Sequence, residues 1–271
     1  MGTRRSRSGR EDEWPERHAM FNDAWDWEIT SFFLLVLAFG AWERLRPARA
    51  VNYLADLKLD LLSFTLAVLM NRLSRRAVDA AVNAVSPDFV LDSLDYIRAW
   101  PSWLKIGAAI VIVDFIIYGI HRAQHRFNLL WRTHKWHHSI EQMYWFAGFR
   151  TSFLHSFLYN IPQTVIPMQL FHLSPLEAGA AYSIALFIQF WEHTNVKANI
   201  GWLKHIFITP QYHRVHHSAS EHQGMNLGTT FSLWDRMFGT YVDPDTLPES
   251  FPLGLGEPIE RKEVPRMLIG V

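Results

Sequence analysis

Nine of the chain's 14 histidines fall into spacings that suit a metal site. His134, His137 and His138 form one His-x-x-His-His box, and His213, His216 and His217 form a second. Positions i, i+3 and i+4 share one face of a helix, so each box is expected to aim three imidazoles at a single place. His121 and His125 are spaced i, i+4, and His193 closes an apolar segment one turn after Gln189. Two triplets far apart in sequence imply two helices brought face to face around a shared cluster. One ion takes about four to six ligands, so nine imidazoles call for two ions.

His18, His155, His172, His205 and His222 have no partner at helical spacing and read as hydrogen-bonded surface or interface residues. Cysteine is absent, which excludes disulfides, thiolate zinc sites, iron–sulfur clusters and Cys-ligated haem within the chain. No His-Glu-x-x-His stretch of the zinc hydrolases is present. An all-nitrogen cluster beside apolar segments instead favours iron and the activation of dioxygen against C–H bonds. The 26 basic and 26 acidic residues leave no net charge to attract nucleic acid.

Apolar segments must position these histidines. Residues 1–28 read as a disordered tail, and a first, short membrane span is expected over residues 29–42, followed by the basic flank Arg44, Arg46 and Arg49. Residues 54–70 read as a second span with a polar entrance or as an interfacial helix, and residues 77–100 as an amphipathic surface segment broken at Ser86-Pro87. Residues 103–120 are the strongest span, with Asp114, Tyr118, His121 and His125 along one stripe. Residues 153–171 and 176–191 read as a hairpin kinked at Pro162 and Pro167, its second arm opened by a Ser174-Pro175-x-Glu177 capping box. Thr209-Pro210 opens the helix of the second histidine box. Residues 243–271 read as an irregular polar tail, which leaves 29–242 as one membrane-embedded, all-α domain.

The set of motifs from Asp114 to Tyr241 resembles the fatty acid hydroxylase/sterol desaturase superfamily of integral-membrane, non-haem di-iron enzymes. It comprises Asp114-x3-Tyr118-x2-His121-Arg122-x2-His125, Leu130-Trp131-Arg132-x-His134-x2-His137-His138-Ser139, Phe149-Arg150, His193-Thr194-Asn195, Thr209-Pro210-x2-His213-Arg214-x-His216-His217-Ser218, Asn226-x-Gly228 and Trp234-Asp235-Arg236-x-Phe238-Gly239-Thr240-Tyr241. Many relatives carry a histidine where this chain has Ser152, and some carry one in place of Gln189.

The resemblance implies a helical membrane protein with about four spans and a histidine-rich cap holding two irons, with zinc as a substitute in purified protein. It implies hydroxylation or desaturation of a lipid or sterol-like substrate that enters from the bilayer, using dioxygen. Asp114, Glu192, Asn195 and Asn226 are expected behind the ligands, because a metal-bound histidine generally donates its other N–H to a carboxylate or carbonyl. Trp131, Trp136, Tyr144, Trp145 and Phe146 would form an interfacial belt or line the acyl channel.

With no cysteine and no dinucleotide fingerprint, electrons must come from an external ferredoxin, cytochrome or flavoprotein reductase. Arg122, Arg126, Arg132, Lys135 and Arg214 would dock an acidic donor or a lipid head group, or form a positive cytoplasmic flank. The expected location is a bacterial inner membrane, or the endoplasmic reticulum in a eukaryote, with the metal site at the cytosolic face. A zinc-dependent membrane hydrolase and a non-catalytic metal-binding membrane protein are the alternatives.

Overall fold

A computed structural model describes residues 13–85, 92–248 and 250–271. The chain is all-helical, with no strands among the described residues apart from isolated bridges such as Pro47 with Val196 and Ser218 with Leu253. The long helices are α1 (Glu13–Leu45), α2 (Leu57–Val85), α3 (Ser102–Arg126), α5 (Phe153–Val165) and α6 (Pro175–His193). Short helices α4 (Asn128–Lys135), α7 (Pro210–His216), α8 (Leu233–Phe238) and α9 (Val264–Ile269) lie in the intervening and C-terminal segments.

Local chemistry sets the boundaries. Ser174 accepts a hydrogen bond from Glu177 N while the Glu177 carboxylate accepts from Ser174 N, so the expected capping box starts α6. Thr209 caps α7 in the same way through Tyr212 N, with Pro210 at the first position, where its missing N–H costs nothing. Pro162 is tolerated inside α5, and the helix then widens into a π-helical turn over Ile166–Leu170 that contains Pro167.

Side-chain ties set the direction of the helices. Ser31 of α1 meets Ser183 of α6 at 2.7 Å, and Glu43 near the end of α1 accepts from Thr194 Oγ1 at 2.9 Å just past the end of α6. These two helices therefore run parallel, toward the histidines. Asp60 of α2 accepts from Arg150, and Asn160 of α5 donates to Asn71 of α2 at 3.0 Å, so α2 and α5 run together away from them. α3 ends on His121 and His125, so it too runs toward the histidines.

Three expectations change. Residues 57–70 of the segment 54–70 belong to a single helix that continues to Val85, so the first third of the segment 77–100 belongs to α2; Ser86-Pro87 lies outside the described residues, and Asp92–Ala99 is a 3-10 helix. α1 begins at Glu13, within the segment read as a disordered tail. The C-terminal segment is irregular, but it is packed. Leu253 joins the apolar cluster of Ile140, Met143 and Tyr144, Met267 of α9 is buried, and Gly254 N donates to His217 O at 3.1 Å.

Among the described residues, one helix, Ser102–Arg126, is long and apolar enough by itself to cross a membrane. Large apolar side chains also lie exposed along the other long helices, including Leu34 and Leu37 on α1, Leu69 and Leu73 on α2, and Ile184 and Phe187 on α6. Many of the buried polar side chains gather where the helix ends meet the histidines, while the buried Lys105–Glu177 ion pair joins the starts of α3 and α6 at the other end.

Candidate metal centre

The nine histidines converge, divided into two donor groups. His121, His125, His134, His138 and His216 form one, and His137, His193, His213 and His217 the other, the donor atoms of each group lying within 4.8 Å of one another. His125 is half-buried and the other eight are buried.

The division overturns the expectation that each box serves one place. His134 and His138, four apart, enter the five-histidine group, while His137 between them enters the four-histidine group. In the second box His213 and His217, again four apart, enter the four-histidine group and His216 crosses to the other. Helix endings permit this. α4 stops at Lys135 and the chain tightens into a 3-10 turn over His137–Ser139, and α7 stops at His216 with His217 as its cap.

Backbone carbonyls decide which ring nitrogen carries the proton. His121 Nδ1 lies 2.7 Å from Leu227 O, His137 Nδ1 3.1 Å from Arg150 O, His193 Nδ1 3.0 Å from Gln189 O and His216 Nδ1 2.9 Å from Met225 O. A carbonyl only accepts, so each Nδ1 donates its N–H and each Nε2 presents a lone pair. The His137 and His193 Nε2 atoms nevertheless face each other at 3.3 Å. Two lone pairs at that distance repel unless a cation lies between them.

The spacings suit such a cation. Around the four-histidine group the Nε2 separations are 3.3, 3.1, 3.2 and 3.1 Å for His137–His193, His193–His213, His213–His217 and His217–His137. Neighbouring nitrogens bound at about 2.1 Å to one tetrahedral or octahedral ion would lie about 3.0–3.4 Å apart. In the five-histidine group, the buried Nε2 atoms of His125, His138 and His216 have no hydrogen-bond partner, an arrangement that costs about 1–3 kcal/mol per group unless a ligand satisfies it. Burial holds His134, His138, His213, His216 and His217 well below the ordinary imidazole range and His137 at about 4, so these rings are neutral at pH 7 and free to ligate. The residues present fit a pair of metal ions.

A family model described as fatty acid hydroxylase matches residues 106–240, the stretch that carries all nine histidines. The chain belongs to the fatty acid hydroxylase family. An alkylglycerol monooxygenase of Xenopus tropicalis is 33% identical over 180 residues, covering 65% of this chain and 37% of that protein. The ornithine lipid hydroxylase OlsE of Rhizobium tropici is 34% identical over 161 residues, covering 58% of this chain and 47% of its own length. A probable Delta(7)-sterol 5(6)-desaturase of Neurospora crassa is 28% identical over 146 residues, or 54% of this chain and 40% of that one. The chain thus spans less than half the length of these curated relatives. No solved structure matches it.

In this fatty acid hydroxylase family member, the four residues expected behind the ligands play different parts. Asp114 accepts from Thr229 Oγ1, Thr230 N, Phe231 N and Trp234 Nε1, so it anchors the 229–234 loop and bonds no histidine. Asn195 clamps Arg49, accepting from its N–H and donating to its carbonyl. Asn226 adopts a left-handed φ of 55°, and its amide donates to Tyr212 O and Val242 O. It acts through its neighbours, because Met225 O and Leu227 O on either side orient His216 and His121. Glu192 alone faces ligands, with one oxygen 3.5 Å from His193 Nδ1 and the other, which has no hydrogen-bond partner, 3.9 Å from His213 Nδ1.

Of the five aromatic residues expected to form a belt or channel, Trp136 is fully buried and donates to Ser63 Oγ, and Tyr144 is buried and donates to Asp60. Trp145 stacks on Phe190 at 4.8 Å, Phe146 packs beside it, and Trp131 touches His125 and His138.

Sequence reasoning missed His155. It is buried and stacked 4.9 Å from His134, with the two Nδ1 atoms 3.1 Å apart. Gln124 Nε2 donates to the same His155 nitrogen, which makes that nitrogen an acceptor and His134 Nδ1 the donor. His155 therefore does for His134 what carbonyls do for the others. Its position three residues after the helix-capping Ser152 was the available signal, since that places it on the inward first turn of α5.

Gly148 and Arg150 were also unassigned. A Cβ at Gly148 would lie 2.5 Å from His193 Cγ, so only glycine admits that ring. Arg150 orients His137 through its carbonyl while its guanidinium bonds Asp60, Asp56 and Ser139 O.

Proposed function

We propose that this protein is a membrane di-iron oxygenase that hydroxylates or desaturates an alkyl chain or ring of a lipid or sterol-like substrate. The observation that carries the reading is the approach of His137 Nε2 and His193 Nε2 to 3.3 Å with both protons held on the far nitrogens. His121, His125, His134, His138 and His216 would hold one iron, and His137, His193, His213 and His217 the other. Bound there, the irons would supply the reduction of dioxygen and the oxidation of a C–H bond.

The rest of the work falls to the chain. Four backbone carbonyls and His155 hold five rings in the tautomer that ligates. Eight of the nine rings are buried, which keeps bulk water from the donor atoms. The names of the relatives support a lipid substrate and place hydroxylation and desaturation within one family.

α3 would cross the bilayer, and the exposed apolar faces of α1, α2 and α6 would complete about four spans and admit substrate from the lipid. The metal site would face the cytosol of a bacterium, or that side of the endoplasmic reticulum in a eukaryote, and electrons would come from an external donor.

The test is metal analysis of protein purified from membranes of iron-supplied cells, combined with dioxygen uptake and lipid product analysis. About two irons per chain and product formed only with reductant and dioxygen are expected. Stoichiometric zinc without iron, together with turnover independent of dioxygen, would replace this reading with the zinc hydrolase. Metal binding with no product under any of these conditions would leave the non-catalytic alternative.

A further inference from the structure

We infer that the corner between α3 and α4 is the docking face of an acidic one-electron carrier protein, with Trp131 as the point where the electron enters the five-histidine group. The inference rests on the di-iron reading.

Trp131 holds a singular position. Its ring centroid lies 5.1 Å from that of His125, 5.1 Å from that of His138 and 6.3 Å from that of His134. Among the described residues it is the one Trp, Tyr or Phe in ring contact with any of the nine histidines. It is also half-buried, beside half-buried His125, whereas the other eight histidines are sealed. The path from solvent to the donor set is shortest here and runs through a polarizable ring.

The surface around it is basic. From Phe115 to Ile140 the chain contains Arg122, Arg126, Arg132 and Lys135 and no Asp or Glu. Lys135 is shared with Glu257 and Glu263 of the C-terminal segment at 3.7 and 3.8 Å, and Arg122 donates to Tyr118. Arg126 and Arg132 are exposed and make no ion pair among the described residues. Phe127 (59% exposed) and Leu129 (72% exposed) stand between them. Unpaired arginines flanking exposed apolar side chains are the composition of a protein-docking patch.

Position brings the patch out of the bilayer core. α3 has 25 residues, a length of about 37 Å, and a bilayer core is about 30 Å thick. If Ser102 starts at one edge of the core, Arg126 and the residues after it lie beyond the other.

Each encounter would oxidise the carrier by one electron and reduce the metal pair by one. Two encounters supply the two electrons that, with two protons from water, convert the oxygen atom not inserted into the lipid to water.

The test is stopped-flow reduction of the metal-loaded protein in nanodiscs by a reduced [2Fe–2S] ferredoxin, across a range of salt. The wild type should react faster at low salt. Arg126→Glu with Arg132→Glu should slow the bimolecular phase by about tenfold or more and flatten its salt dependence, with reduction by dithionite unchanged. Trp131→Leu, or Trp131→Phe should the leucine variant lose metal, should bind the carrier normally and lose the fast phase.

A wild-type rate indifferent to salt, or one that survives charge reversal, overturns the inference. So does charge reversal that weakens adhesion to vesicles of anionic phospholipid but leaves carrier binding intact. A wild type that takes up no metal removes the di-iron reading itself, and is seen before any carrier is added.

Discussion

His138 and His217 lie ring on ring, with centroids 4.7 Å apart and planes inclined by 23°, yet they serve different donor groups. Their stacking is the seam between the two donor groups. His138→Ala should empty the five-histidine position first and His217→Ala the four-histidine position, each lowering bound metal toward one per chain. His172→Ala, at the far tip of the hairpin, should leave metal content and turnover unchanged. Metal analysis and Mössbauer spectra of the three variants check this; equal loss of both ions in each would show that the groups do not fill separately.

Glu192 is buried at 5% exposure, with one carboxylate oxygen unpartnered and 3.9 Å from the equally unpartnered Nδ1 of His213. Once His213 binds metal, its N–H becomes a better donor and can be drawn to that oxygen. Glu192→Gln should weaken metal binding by about 10–100-fold, chiefly at the four-histidine group. Competition with a chelator, read group by group, measures it, and wild-type affinity in the variant would make Glu192 a structural carboxylate only.

Gly148→Ala tests the close approach of the backbone to His193, whose Cγ a new Cβ would meet at 2.5 Å. Overpacking of this kind typically costs about 1–3 kcal/mol. The thermal midpoint in detergent should fall, and the four-histidine group should lose metal with it. A variant that binds metal like the wild type would mean that the ring can shift freely.

The metal-free protein should lose stability in mild acid. Burial lowers the folded-state value of His137 from about 6.5 to about 4, so the unfolded chain binds more protons between those limits and stability falls with pH across that window. His137 alone accounts for about 3 kcal/mol, fully lost only below pH 4. Denaturation of metal-stripped protein in detergent at pH 7, 5.5 and 4.5 reads the slope, and a flat profile would contradict neutral buried rings.

Topology can be read with single cysteines, because the chain has none of its own. Glu141→Cys lies at the histidine end and Ser102→Cys at the start of α3, both at exposed positions. In sealed vesicles a membrane-impermeant maleimide should reach one from outside and the other only after the vesicles are opened. Labelling of both from the same side would mean that α3 does not cross.

Much of the site was legible in the sequence, because helical spacing and apolar length are local properties. The nine histidines, the capping box at Ser174 and Glu177, and the cap at Thr209 all follow from residues within one or two turns of each other. The continuity of α2 through Val85 was harder to see, since polar residues at Asn71, Arg72, Arg75 and Arg76 interrupt its apolar run. One face of that helix is nevertheless buried on α5, where Ser74 accepts from Asn160.

What only the tertiary structure decided is how the donors are shared. Spacing says that three residues of a box lie together on a helix; it cannot say that the helix ends inside the box, so that the i and i+4 rings keep one donor group while i+3 swings to the other. Nor can it pair His155 with His134, set Glu192 behind His213, or assign Asp114 to the 229–234 loop. Those contacts join residues up to 120 positions apart. They exist because packing of the long helices brings their ends to one place, and each buried polar atom there must take the partner that the fold supplies.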